Sequence, residues 1–312
     1  MTLPAALLLL GAVVAIAAPR LLARVDWTDR EPVIALWAWQ CVVAAVLLCC
    51  ALSMTLSAAA AWHEVGGPVF ATAPRAVVEA YAPGSAGGAA AATATALACG
   101  GLWTAATWAR EVLGARARRR LRRAELRDLA PLLPGEVPGP ERLVVVESER
   151  ADVSWLPGAP PQLVVTTAAL RRLEGPRLDA VLAHEHGHAR ARHDWLLHCS
   201  AALAEGFPQV PVFAAFRDEM HRLVELAADD VASRRFGRLT TARALVELNR
   251  DRGVFGPCPS TGAQVPQRVR RLLTAQDRLS SGRRLRLTAA ASLIPVVPVL
   301  VALIPGLRAL SG

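Results

Sequence analysis

The chain has 312 residues, of which 53% are hydrophobic, and its mean hydropathy is +0.33. This composition is too apolar for an ordinary soluble protein, and the length allows one domain together with membrane spans. The formal net charge is +9, and every one of the 35 residues counted as Lys or Arg is an arginine. A basic excess in a membrane protein is typical of its cytoplasmic face, so the sequence favours a membrane protein over the alternative, a nucleic-acid-binding protein.

The first third of the chain contains three apolar runs of spanning length. The first extends from Leu3 to about Ala18, and because no basic residue precedes it we expect a retained span rather than a cleaved signal peptide. The second extends from Val33 to about Leu56, and the third from about Gly84 to Ala109. The small residues of the third run suit packing within a helix bundle, with a buried soluble helix as the alternative. These runs predict three transmembrane helices within residues 1–109, with an outer loop near 57–83.

A fourth apolar run extends from Leu287 to about Leu307 and contains prolines that would kink a helix. It predicts a fourth span and a short outer tail over residues 287–312. Arginines are concentrated at 110–123 and 283–286, on both sides of the same large segment. The positive-inside rule then predicts that residues 110–286 form a cytosolic domain of a multi-pass plasma-membrane protein, with both termini outside.

Two short runs within this segment, Arg142–Glu147 and Gln162–Thr167, are rich in valine and predict β-strands. The proline and glycine residues of Trp155–Pro161 predict a turn-rich connection between them. With the helices expected after them, these strands indicate an α+β domain between spans three and four. We expect one strand to lie at the edge of a small sheet beside the helix described next, where an extended peptide would add as a further strand.

The stretch His184-Glu185-x-x-His188 follows a mostly apolar helical segment, Leu178–Ala183. At helical spacing the two histidines lie one turn apart on one face, so their ring nitrogens can bind one Zn²⁺. Glu185 is beside the first histidine, where a carboxylate can take a proton from water as a general base. The stretch therefore predicts the metal ligands and the base of a zinc peptidase. The α+β domain between spans three and four is accordingly expected to be zincin-like. His186 points to the other side of this helix and is expected to be a structural or surface histidine.

Catalytic zinc usually has three protein ligands, so one more is needed. An extension of the pattern along the same segment would need a glycine and a histidine where the chain has Ala191 and Asp194. His193 is one position out of register for this role. A glutamate on a later helix is the remaining common solution.

Glu225 is the preferred third ligand because Asp229 lies four residues later on the same helical face. Such an aspartate can accept the second ring N–H of a ligating histidine and fix its tautomer. Glu205 and Glu219 are competing candidates, but neither has an aspartate four residues later. Arg268 is a candidate oxyanion stabiliser, with a surface or headgroup arginine as the alternative.

These residues resemble a known family, the BlaR/MecR-type membrane metallopeptidases. The likeness rests on Leu182-Ala183-His184-Glu185-x-x-His188 followed by Asp194, on Glu225-x-x-Ala228-Asp229, and on three spans before and one after the catalytic segment. The sequence is also similar to the heat-shock and CAAX-prenyl membrane proteases, which share the His-Glu-x-x-His and Glu-x-x-Ala-Asp elements. The resemblance implies Zn²⁺ held by His184, His188 and Glu225, with Glu185 as the base.

The resemblance also implies proteolysis of a cytosolic protein, often a transcriptional repressor, or of the chain itself. The antibiotic sensors of the family carry an extracellular penicillin-binding domain after the last span, whereas this sequence ends at Gly312, so direct β-lactam sensing by that route is not expected. We predict a membrane zinc metalloendopeptidase in signal transduction or repressor inactivation, with a cytosolic protein substrate and the bilayer as partners and no direct contact with nucleic acid. The alternatives are a membrane quality-control protease and a non-catalytic receptor that uses zinc only for folding.

Overall fold

The computed structural model describes residues 2–81, 87–130, 141–158, 160–250, 265–274 and 278–311. The described part is mostly helical and contains one small sheet. Before the sheet the helices are α1 (Leu3–Leu22), α2 (Trp27–Arg30), α3 (Pro32–Ala61), α4 (His63–Val69), α5 (Arg75–Ala80) and α6 (Gly87–Leu129). The strands are β1 (Arg142–Val146), β2 (Val153–Leu156) and β3 (Gln162–Thr166). After them come α7 (Thr167–Arg172), α8 (Pro176–Ala191), α9 (His193–Gly206), α10 (Pro211–Phe236), α11 (Arg238–Leu248), α12 (Val265–Leu273), α13 (Ser281–Leu293) and α14 (Val296–Ser311).

Three helices of the described chain, α1, α3 and α6, are long and apolar enough to cross a membrane. The pair α13 and α14 passes the same test together but is bent by 48° at a short break, so a fourth span exists only if this pair is one span. The break coincides with the proline-containing stretch where the sequence predicts a kink. Among these helices α3 is the most buried, with α1, α6, α10, α13 and α14 packed around it.

The third apolar run belongs to a single helix of 43 residues, α6. Its predicted start at Gly84 lies outside the described residues, and its predicted end at Ala109 is passed without a break, so the proposed domain boundary falls inside this helix. Only four of its residues, Ala94, Thr107, Ala115 and Leu126, are buried. A buried soluble helix, the alternative interpretation of this run, is therefore wrong.

The sheet has the strand order β1-β3-β2, in which β1 is parallel and β2 antiparallel to the central strand β3. All five residues of β3 are buried, as expected for a strand covered on both faces. The predicted strands correspond to β1 and β3, but the prediction of a turn-rich connection from Trp155 is wrong for its first two residues. Trp155 and Leu156 end strand β2, opposite Leu163 and Gln162 of β3, and the turn begins only at Pro157.

Gly187 lies at the contact between helices α8 and α10. A Cβ atom added to Gly187 would lie 3.4 Å from the Cα atom of Ala228 and 3.4 Å from Cβ of Val231. Small residues at a helix contact let the two backbones approach. The close approach brings side chains of α10 within reach of those on α8.

Tyr81, which follows α5, contacts the last helix. Its hydroxyl donates a hydrogen bond to the carbonyl of Ala302 at 2.7 Å and accepts one from the N–H of Gly306 at 3.3 Å. These two backbone groups are four residues apart, the spacing of one helical hydrogen bond, and Pro305 between them has no N–H. The Tyr81 hydroxyl thus bridges two backbone groups of α14 on either side of Pro305.

Candidate metal centre

Helix α8 carries His184, Glu185 and His188. At each end of this helix the flanking residue has a positive φ angle. It begins at Pro176 after Gly175, whose φ of +54° is a conformation that glycine adopts readily. It ends before Arg192, a non-glycine residue in the left-handed region with φ of +51°. The chain therefore turns sharply at Arg192, and α9 begins one residue later.

The three predicted ligands converge. The Nε2 atoms of His184 and His188 are 3.1 Å apart, and Glu225 of α10 places Oε1 3.4 Å from the second and Oε2 3.6 Å from the first. Zinc ligands at roughly 2.0–2.2 Å in a tetrahedron would be separated by about 3.4 Å. Two neutral imidazoles and a carboxylate are also a known donor set for catalytic zinc. The donor types and their separations fit a zinc ion, and within the described chain this is the group of three that could hold a metal.

The competing glutamates lie elsewhere. Glu205 is exposed near the C-terminal end of α9. Glu219 is on α10 but pairs with Arg222, whose Nη2 is 2.7 Å from its carboxylate. Neither residue joins the cluster.

Asp229 is almost fully buried, at 1% exposure, and contacts the first histidine. Its Oδ1 lies 3.0 Å from Nδ1 of His184, on the ring edge opposite the cluster. A carboxylate at this position accepts the Nδ1–H and leaves the Nε2 lone pair free for a metal. The geometry fits the role expected from the spacing of Glu225 and Asp229.

Arg268 of α12 is 6% exposed, so the interpretation as a surface or headgroup arginine is wrong. Its Nε and Nη2 atoms donate to Asp229 at 2.8 and 2.7 Å, and Nη1 donates to Oε2 of Glu225 at 2.6 Å. The guanidinium charge compensates the buried carboxylate of Asp229 and the partly buried carboxylate of Glu225, which would otherwise repel each other. These contacts support a role in holding the two acids, and the oxyanion role stays a prediction.

Burial, hydrogen bonds and neighbouring charges set the pKa values of the three candidate ligands in the metal-free protein. Burial alone lowers the pKa of His184, but hydrogen bonds with Asp229 and Glu225 outweigh it and raise the pKa to about 9. Burial, together with the neighbouring charge of His184, lowers the pKa of His188 to about 3. Burial raises the pKa of Glu225, but the hydrogen bond with His184 and the charge of Arg268 outweigh it and lower the pKa to about 2. At neutral pH the metal-free cluster therefore carries one extra proton, on His184.

Glu185 lies between the cluster and the sheet. Its Oε2 accepts a hydrogen bond from the backbone N–H of Trp155 in the edge strand β2, at 3.1 Å. Burial raises the pKa of Glu185 above its usual value, while the charge of His184 and this hydrogen bond oppose the rise. A carboxylate with a raised pKa is suited to exchange protons near neutral pH.

These groups open into one cleft of about 670 Å³. Strand β2 forms one wall with Val153 and Trp155, and α11 forms an apolar wall with Ala244, Leu245 and Leu248. The cleft is large enough for several residues of an extended peptide. The three candidate metal ligands, the predicted base and an apolar groove therefore share one space.

Two contacts of the site were not predicted. His193 contacts His188, with 3.0 Å between their Nδ1 atoms, although the sequence only shows that it is out of register as a ligand. His186, expected to be structural or at the surface, has Nε2 3.0 Å from both carboxylate oxygens of Glu141, and its ring lies beside Trp155. Helical spacing could not reveal the first contact, because α8 ends between the two histidines.

The sequence profile of peptidase family M48 matches residues 120–278, about half of the chain. The chain belongs to peptidase family M48. The M48 segment begins within α6 and contains the sheet, α8, Glu225 and Arg268. Membership confirms the predicted resemblance to membrane zinc metallopeptidases related to the BlaR-type and heat-shock proteases, and it makes the chain a metallopeptidase. No curated protein and no solved structure matches this M48 chain significantly.

Proposed function

We propose that the protein is a membrane zinc metalloendopeptidase that cleaves a cytosolic protein, in signal transduction or the inactivation of a transcriptional repressor. The observation that carries the catalytic part is the position of Glu185 beside the cluster of His184, His188 and Glu225, in a cleft edged by a strand. A site that bound metal only for folding would not need a partly buried carboxylate beside the ligands. The regulatory part rests on the resemblance to the BlaR/MecR-type proteins.

The residues of the site suit peptide hydrolysis. A zinc ion held by His184, His188 and Glu225 would polarise a peptide carbonyl and make water acidic enough to lose a proton near pH 7. Glu185 takes that proton and passes it to the leaving amine. The N–H of Trp155 stabilises the ionised form of Glu185, which exists before the first of these steps and again after the second.

The edge strand supports a peptide as the substrate. Within the described chain β2 pairs with β3 on one side only, and its other side faces α8 and the cleft. An extended peptide can add to such an edge through backbone hydrogen bonds, which do not depend on its sequence. The sequence predicts that an extended peptide adds to a sheet edge beside the helix of His184 and His188. Strand β2, which the sequence did not reveal, is the candidate for this edge.

The membrane setting is supported by the apolar helices and by the arginines. Residues 110–123 and 283–286 flank the M48 segment and carry clustered arginines, as cytosolic flanks do. With the bent pair counted as one span, four spans give outside termini and a cytosolic peptidase. We therefore retain the division into residues 1–109, 110–286 and 287–312, in a multi-pass protein of the plasma membrane.

The decisive experiment compares the purified full-length protein with Glu185→Gln, in detergent, for zinc content and for cleavage of casein or of itself. We expect zinc in both proteins and cleavage only by the wild type, because glutamine keeps the shape of the side chain but cannot accept the proton. Normal cleavage by the variant would contradict the role of Glu185. Absence of zinc from both proteins would contradict the metal site.

A further inference from the structure

The second ring nitrogen of each ligand histidine has its own partner. Nδ1 of His184 faces Asp229 at 3.0 Å, and Nδ1 of His188 faces Nδ1 of His193 at 3.0 Å. The rings of His188 and His193 meet edge to face, with centroids 4.9 Å apart and an interplanar angle of 84°. His193 is buried, at 5% exposure, so water does not compete freely for this contact.

This contact fixes the protons on both rings. A histidine that binds metal through Nε2 carries its proton on Nδ1, so His188 donates and Nδ1 of His193 must accept. His193 then keeps its own proton on Nε2. His193 thus accepts the Nδ1–H of His188 as Asp229 accepts that of His184, but with an imidazole nitrogen in place of a carboxylate oxygen.

His193 is also the first residue of α9, and α9 is fastened to the apolar helix α6. The rings of Trp108 and Trp195 stack with centroids 5.2 Å apart and an interplanar angle of 8°. Arg119 of α6 places Nη2 3.2 Å from Nε2 of His198 and 3.5 Å from Oδ2 of Asp194.

The C-terminal end of α9 also contacts α6. Nε1 of Trp103 donates to the carbonyl of Gly206 at 2.8 Å. A Cβ atom on Gly206 would lie 3.1 Å from Oγ1 of Thr107, so the two helices are in close contact there. Helix α9 therefore contacts α6 near both of its ends.

We propose that His193 is a positioning residue that holds His188 as a metal ligand, and that α6 holds His193 in place through α9. The inference rests on the proposed zinc site and adds a residue to it. The left-handed turn at Arg192 brings His193 back against His188, although the two are five residues apart along the chain. The placement of one zinc ligand is thereby tied to a helix of membrane-spanning length.

Three substitutions of His193 separate its hydrogen-bond role from its bulk. Asparagine places an acceptor oxygen close to the position of Nδ1, glutamine places its amide near Nε2, and leucine has similar size without an acceptor. The measurement is zinc affinity of the full-length protein by competition with a chromophoric chelator. The d–d absorption spectrum of the Co²⁺-substituted protein reports the geometry of the ligands independently of activity.

We expect His193→Leu and His193→Gln to lower zinc affinity by about 10- to 100-fold, the usual effect of losing a partner of a metal ligand. His193→Asn should stay close to the wild type in affinity and in the Co²⁺ spectrum. Equal affinity in all four proteins would overturn the proposal, as would an asparagine variant as weak as the glutamine variant. If the leucine variant does not fold, the comparison of asparagine with glutamine decides.

The link to α6 is tested at a distance from the metal. Trp108→Ala removes the stacked ring, whereas Leu102→Ala removes a side chain of the same helix that is 73% exposed. We expect the first to lower zinc affinity by about 2- to 30-fold, the range for residues that couple to a site without touching it. The second should have no effect, and equal affinities in the two variants would overturn the link.

Failure of this inference differs from failure of the proposed function. If the wild type binds zinc tightly and the His193 and Trp108 variants match it, only the inference is wrong. If the wild type itself binds no zinc, the proposed function is wrong.

Discussion

The backbone N–H of Trp155 lies 3.1 Å from Oε2 of Glu185, so the edge strand contacts the predicted base through a group that every residue except proline possesses. The contact also fixes the direction of this N–H, which faces the cleft and not β3. An inserted peptide would therefore lie beside Glu185. The contact between strand and base can be tested by comparing a substitution at residue 155 that removes the backbone N–H with one that keeps it.

Trp155→Pro removes this donor at an edge position, where proline is tolerated because its N–H is not needed in the sheet. The ionised form of Glu185 then loses a charge-assisted hydrogen bond of about 1.5–3 kcal/mol. We expect kcat/KM at pH 7 to fall about tenfold or more, and the acidic limb of its pH profile to move to higher pH. Trp155→Ala keeps the N–H and should leave the limb in place; a limb that moves equally in both variants would point to the ring instead.

Zinc affinity should depend on pH through His184. Its pKa of about 9 in the metal-free protein means that zinc must displace one proton below that pH. His188 at about 3 and Glu225 at about 2 have no proton to lose near neutrality. We expect the apparent affinity to rise about tenfold per pH unit between pH 6.5 and 8.5 and to level off above pH 9. Affinities measured with a competing chelator that stay constant over this range would contradict the assignment of the proton.

Asp229→Asn should weaken the metal site. The amide is a poorer acceptor for the Nδ1–H of His184, and we expect zinc affinity to fall about 10- to 100-fold. Asp230→Asn is a matched control, because Asp230 is the next residue and forms ion pairs with Arg271 and Arg278 at 2.8 and 3.2 Å. Titration with zinc should separate the two variants, and equal losses would mean that the charge of α10, not the contact with His184, determines affinity.

Arg268→Gln should lower stability. It leaves the buried carboxylate of Asp229 and the partly buried carboxylate of Glu225 without their cation, and breaking a buried pair such as Arg268–Asp229 costs about 3–5 kcal/mol. Arg270→Gln, at an exposed position on the same helix, should change the free energy of unfolding by no more than about 0.5 kcal/mol. Thermal unfolding of the metal-free proteins in detergent measures both, and similar midpoints would show that Arg268 is not needed to compensate the acids.

The metal cluster could be predicted because its determinants are local. His184 and His188 are one turn apart on one helix, and Asp229 is one turn after Glu225 on another, so each pair shares a face in any helix. The sequence could not specify how α8 and α10 approach each other. That depends on the contact of Gly187 with Ala228, which helical periodicity does not reveal.

The remaining contacts arise from tertiary structure. The sequence predicts a surface or oxyanion-stabilising role for Arg268, because a charged side chain is normally exposed to water. Only the structure shows that Glu225 and Asp229 lie opposite it. The contact of His193 does not follow from helical counting, which assumes a continuous helix, because the left-handed residue Arg192 ends the helix. The valine and tryptophan of Val153–Leu156 favour a strand, but this run is only four residues long and the adjacent Pro157 and Gly158 favour a turn.

The hydroxyl of Tyr81 binds two backbone groups of α14 that lie more than two hundred positions later in the chain. During synthesis the segment that contains Tyr81 is made long before the residues it binds. The amino-terminal helices can therefore reach their final arrangement only when the ribosome has finished the last helix. The order of the chain thus places completion of the helical bundle after the whole M48 segment has been made.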